Sequence, residues 1–266
     1  MKEAPEPKEI IWENMNMKGK NKVFNYILGW FLSILLLAVV TVIFYFIMEQ
    51  KALNLITAIE HIEHHPDDVQ YQEDLRGAIA LVYIMLILIV LFNKLLMVVL
   101  FHIFTDLEKH DTSSKFQFSF GLKYCLGLFF TTALMTLAVE AIRFNNYYSH
   151  LYGVIEEETV MFFLNALFVP LFWLVNPYHI LKYIRRNINY GKKSVTQREA
   201  HTYMEDSEYD IGKRYAEIIE TMWFTYLYAS IIPIGACISI FGLILYYWID
   251  KYNLLRRSTL SIEVQG

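Results

Sequence analysis

The amino-acid sequence predicts an all-α, polytopic transmembrane helix bundle, and three observations carry that expectation. The 266-residue chain is 56% hydrophobic and 16% aromatic, with a mean hydropathy of +0.33, which is far more apolar than a soluble domain of that length. Its apolar residues collect in long runs. Four of these, 23–48, 77–104, 120–142 and 160–180, reach the ~20 residues a helix needs to cross a bilayer. A fifth run, 216–249, is too long for one ~30 Å crossing and is interrupted by Pro233. Bent at Pro233, with Gly235 to turn the chain, it becomes a short hairpin of two short helices, and the five runs read as six helices. The alternative is one long, tilted, kinked helix.

The elements then follow in order. Residues 1–22 read as a cytosolic linker, with Pro5 and Pro7 keeping it extended and Trp12 suited to a membrane interface. Residues 23–258 form the transmembrane bundle and 259–266 a cytosolic tail. Residues 49–75 read as a long outer loop with seven acids, 143–159 as a short outer loop with Glu156, Glu157 and Glu158, and 182–215 as a basic, then acidic, inner segment with room for a short amphipathic helix.

Charge sets the orientation. Lys2, Lys8, Lys18, Lys20 and Lys22, then Lys109 and Lys115, then Lys182, Arg185, Arg186, Lys192, Lys193, Arg198, Lys213 and Arg214 fall on one side. Only Lys51, Arg76 and Arg143 fall on the other. Fifteen against three puts both chain ends in the cytosol, and the hairpin keeps Lys251, Arg256 and Arg257 there too. The plasma membrane is the expected location, with an endomembrane as the alternative.

Some function classes are excluded. A net charge of −4 and a pI near 6.1 do not suit a nucleic-acid partner. Cys125 and Cys237 both fall in apolar runs and offer neither a disulfide framework nor metal spacing. His61 and His65 have helical metal-ligand spacing, but Pro66 and an acidic loop favour simple solvation, so no metal site is assigned. No phosphate loop, Ser/His/Asp set or Cys/His nucleophile pair is present, so neither an enzyme nor a cofactor is expected.

Polar residues inside a bilayer are costly, and each is a candidate for function. Asn93 and Lys94 lie two thirds of the way into the second span. Lys94 either lines an aqueous path or snorkels to the headgroups. Thr132, Thr136 and Glu140 make one polar stripe on the third span, with Glu140 near the outer mouth. Asn165 and Asn176 share a face of the fourth, either lining a water-filled path or bonding to neighbouring helices. Pro170, Pro177 and Pro233 are the candidate hinges.

Three motifs add a family. APEPKEIIWENM (4–15), LEKHDTSSKFQFSFGLKY (107–124) and YDIGKRYAEIIETMWFTYLYASIIPIG (209–235), the last followed by YYWIDKYNLLRRS (246–258), resemble in order the pore region of the OSCA/CSC channels, relatives of the anoctamins. Glu9 stands where that family usually has Asp, and Lys251 where it usually has Arg. The resemblance implies the pore-forming region of a mechanosensitive, osmosensitive, calcium-permeable cation channel, with membrane lipids and inorganic cations as partners and homodimerisation left open. It also implies a hairpin at Pro233. Since the family carries further helices and a cytosolic domain, the chain is expected to be a fragment, an excised domain or a shortened homologue. An anoctamin-like phospholipid scramblase and a non-conducting subunit of a larger complex are the alternatives.

Overall fold

The structure, a computed structural model, describes residues 7, 9–16, 19–64, 69–135, 150–175, 177–189, 196–197 and 207–259. Among these the chain is all-α apart from two short strands. Helix α1 is Gly19–His64. Helix α2 runs from Val69 to Phe92, through a π turn at Asn93–Met97, and on as Val98–Leu107. Helix α3 is Ser113–Phe129 with a π turn at Phe130–Leu134. Helix α4 is His150–Phe163, a third π turn at Leu164–Phe168, and Val169–Val175. Then come α5, Pro177–Asn189, α6, Ile211–Tyr228, and α7, Pro233–Arg256. The six expected helices are α1, α2, α3, α4, α6 and α7.

Four stretches are long and apolar enough to cross a bilayer: Gly19–Ile47, Tyr83–Leu107, Glu158–Ile188 and Pro233–Arg256. They mark the chain as an integral membrane protein. The third run, 120–142, ends outside the described residues. Helix α6 is less apolar because it carries Lys213, Arg214, Glu217 and Glu220, all of which it buries inside the bundle.

The break at Pro233 is present. Helix α6 stops at Tyr228, Ile231 and Ile232 both donate their N–H to the Tyr228 carbonyl, and Pro233 opens α7 at a position where its missing N–H costs nothing. Thr225 donates to Ser239 at 2.7 Å near the bend, and Arg214 pairs with Asp250 at the far ends, so the two helices run antiparallel as a hairpin. A two-residue parallel pairing of β1, Ser207–Glu208, with β2, Ser258–Thr259, ties those far ends together. The second limb is not short: α7 has 24 residues, about 36 Å, because its helix continues past the apolar run.

The loops differ from the sequence expectation. The outer segment 49–75 is largely helical, since α1 continues to His64 and α2 begins at Val69. Helix α1 is 46 residues long, about 69 Å, more than twice a bilayer core. Hydropathy ends where the membrane ends, but a helix ends where a breaker such as Pro66 stands. The segment 143–159 is helical from His150, and the inner segment 182–215 is helical to Asn189 and again from Ile211.

The N-terminal segment packs against the turn between α2 and α3. Ile10 bridges Thr112, the Ile11 N–H donates to the Asp111 carbonyl at 2.9 Å, and the Ser113 N–H donates to the Glu9 carbonyl at 3.0 Å. Asn14 donates to the His110 carbonyl at 2.8 Å, and Lys22 pairs with Asp111. The turn itself uses Lys109 in the left-handed region, φ 52°, to end α2, and Thr112 as the N-cap of α3.

Under this strap lies Glu108, wholly buried, which accepts from Lys123, from His110 Nε2 at 2.7 Å and from Ser119 at 2.8 Å. Burial pushes its carboxyl up, but the hydrogen bonds from His110, Lys123 and Ser119 outweigh this and hold it below the ordinary 4.5. Its stabilising effect is therefore complete above pH 4.5 and is lost as pH falls through the lower folded value. Glu108→Gln is expected to speed amide exchange at Ile11 and Ser113 by on the order of tenfold to a hundredfold at neutral pH. Unchanged protection would show that the strap does not depend on this carboxylate.

Candidate functional site: a charged centre on three π turns

Helix α6 is inside out for a membrane helix. Its lipid side is apolar, with Tyr215, Ile219, Met222, Trp223 and Tyr226 exposed. Its buried side carries Lys213, Arg214, Glu217, Glu220, Thr221, Phe224 and Tyr228 at spacings of three, four and seven. Such a face is tolerable only if partners meet each charge. Arg214 Nη1 donates to Glu217 at 2.8 Å, and its Nη2 reaches Asp250 on α7. Trp173 of α4 donates its indole N–H to Glu217 at 3.2 Å, while Lys213 Nζ sits 3.6 Å from the centre of the Trp173 ring. Lys94 of α2 lies 3.6 Å from Glu217, and Thr132 of α3 donates to Glu220 at 3.0 Å. Lys94 and Arg214 thus pair with Glu217 and Arg214 also with Asp250, while Lys213 lies over the Trp173 ring and Glu220 accepts from Thr132.

At the N-terminal end of α6, Asp210 caps the helix by accepting from the Lys213 N–H at 3.1 Å. Burial pushes its carboxyl up, with that backbone bond only partly offsetting it. Burial and the Asp250 charge push the Tyr209 phenol up to about 12.

The π turns explain how the spans reach this centre. Each inserts one residue into an otherwise α-helical rod, and such insertions recur at functional sites. The first turns Asn93 and Lys94 inward, the second Thr131 and Thr132, the third Asn165, and all five are buried. Carbonyls in two of these turns meet hydroxyls from facing helices: Tyr228 donates to Ala133 at 2.9 Å and Tyr124 to Asn93 at 3.5 Å. The third turn includes Ala166, four residues before Pro170, whose ring would crowd that carbonyl in a regular helix. The π turn absorbs the clash, so α4 continues through Pro170 to Val175 without a break there.

The residues singled out from the sequence fall as follows. Lys94 does not snorkel: it is 4% exposed and points at Glu217. Both amide atoms of Asn93 and the Nδ2 of Asn165 are buried without a hydrogen-bond partner, so neither asparagine amide nitrogen is spent on bonding a neighbouring helix. Thr132 joins the centre through Glu220. Thr136, Glu140 and Asn176 lie outside the described residues. Pro177 opens α5 and Pro233 opens α7. Lys213 and Arg214, read from the sequence as inner-loop charges, are buried at the start of α6. Glu217, Glu220 and Asp250 were not anticipated. The i, i+3, i+7 spacing of Arg214, Glu217 and Thr221 is the sequence signal that marks them.

Fold and site together define a helical membrane bundle closed around a buried, ion-paired centre. No protein-family model and no curated protein matches the chain.

Proposed function

We propose that this chain is the pore-forming region of a mechanosensitive, osmosensitive, calcium-permeable cation channel of the kind its three motifs resemble. The observation that carries the reading is the set of three π turns, each on a different spanning rod, that bury Asn93, Lys94, Thr132 and Asn165 in the interior. Two of these residues contact carboxylates of α6. In the closed bundle the ammonium of Lys94 neutralises Glu217. Tension favours whichever state has the larger in-plane area, and separating α2 from α6 would take the Lys94 ammonium away from Glu217 and leave the α6 carboxylates more attractive to cations. Both chain ends and the strap lie on the cytosolic side of a plasma membrane in this reading. A scramblase groove would need a polar stripe open to lipid at Lys94, and that residue is buried.

Patch recording from stretched proteoliposomes tests the proposal. Tension-activated cation current is expected. Lys94→Met is expected to lower the tension threshold and Glu220→Gln to reduce cation-over-anion preference severalfold. Currents indifferent to both substitutions would remove the pore from this centre. Headgroup transfer in ion-free liposomes without current would favour the scramblase instead.

A further inference from the structure

Helix α5, Pro177–Asn189, is a different kind of helix from the spans around it. Ile180, Ile184 and Ile188 repeat every fourth residue, Leu181 falls beside them and Tyr183 flanks them. These five side chains are 43–60% exposed. On the opposite arc stand Lys182, Arg185 and Arg186, and the helix contains no acidic residue. Beyond its junction with α4, α5 packs only slightly against the rest of the described bundle. A helix in the hydrocarbon would not carry a face of three cations, and a helix in water would not leave five large apolar side chains uncovered.

Its depth points the same way. The apolar stretch Glu158–Ile188 has 31 residues, more than one crossing needs, and its α4 part from Glu158 to Val175 alone rises about 27 Å, close to the thickness of a bilayer core. Pro177 therefore opens α5 at headgroup level, near where Arg257 reaches the Leu174 carbonyl.

We infer that α5 is an amphipathic surface helix whose apolar face embeds in the headgroup–acyl boundary and whose cationic face binds anionic phospholipid. The charge complementarity of Lys182, Arg185 and Arg186 selects a negatively charged lipid surface over a neutral one. This requires only that the bundle is in a bilayer, not that it conducts.

The test uses the full chain in liposomes, carrying Ile184→Cys in a Cys125→Ser, Cys237→Ser background and labelled with an environment-sensitive fluorophore. In phosphatidylcholine with phosphatidylglycerol the label is expected to emit blue-shifted and to be quenched by a spin label near the lipid headgroup. In phosphatidylcholine alone, or in high salt, the quenching falls. The same label with Lys182→Glu and Arg185→Glu is expected to lose the anionic-lipid preference by on the order of tenfold, with an unchanged size-exclusion profile. A label at Lys182→Cys, on the opposite arc, should remain open to an aqueous quencher. Equal quenching in both lipid mixtures overturns the anionic-lipid assignment. A position-184 label shielded from lipid and water alike overturns the surface helix, because α5 would then be covered by protein.

Discussion

Glu217→Ala is expected to lower the unfolding midpoint of the detergent-solubilised protein by on the order of 10 °C. The side chain is wholly buried and is the point where Arg214, Lys94 and the Trp173 indole converge. Arg214 keeps Asp250 when Glu217 is lost. Lys94 loses its ion-pair partner while remaining inside the bundle. Removing one member of a buried pair costs about 3–5 kcal/mol, mostly as the penalty of the charge left behind. The distinguishing variant is therefore the double one. Glu217→Gln combined with Lys94→Met should recover at least half of the loss, because neither charge is then stranded. A melt unchanged by Glu217→Ala would mean that the centre contributes no stability. A double variant as damaged as the single would mean that Glu217 matters through Arg214 and Trp173 rather than through Lys94.

How much of this was legible follows from what hydropathy measures. The apolar runs located the rods, and Pro233 located the hairpin, because bilayer thickness and a missing N–H act locally. Asn93, Lys94, Thr132 and Asn165 were visible as polar residues within apolar runs, and they are buried. The charged face of α6 was harder to see. Lys213 and Arg214 precede the run 216–249 and Asp250 follows it, so an apolar window trims three members of the centre from its ends. Glu217 and Glu220 lie inside the run but are diluted by Ile218, Ile219 and the aromatics after them. Their role depends on partners more than a hundred residues away on α2, and on others on α3, which no local pattern contains. The π turns left no sequence mark except Pro170. The helical extension of α1 to His64 was hidden for the opposite reason: its polar residues ended the hydropathy signal while remaining good helix formers.

Gly212→Val is expected to destabilise the bundle nearly as strongly, through geometry rather than charge. Gly212 sits in the first turn of α6, and its N–H donates to Gln117 Oε1 at 3.0 Å. A Cβ on Gly212 would lie 2.5 Å from the Gln117 carbonyl oxygen, and one on Gly121 would lie 2.9 Å from the Gly212 carbonyl oxygen. Helices α3 and α6 therefore meet backbone to backbone, as close helix pairs in membranes do through small residues. The atoms in the way are main-chain atoms, which cannot rotate aside. Overpacking at such a contact typically costs about 1–3 kcal/mol, and a branched side chain belongs at the upper end. The displacement also has a direction. Lys213 and Arg214 follow Gly212 immediately, so pushing the start of α6 away from α3 pulls the cations off Trp173 and Asp250 and weakens Thr132 against Glu220. Gly19→Ala is the control, because nothing lies within 4 Å of its added Cβ, and its melt should match or exceed the parent's. Should Gly212→Val melt like Gly19→Ala, the two helices are not in contact there, and the register that aligns the charges of α6 with α2 and α3 must be set by something other than this glycine pair.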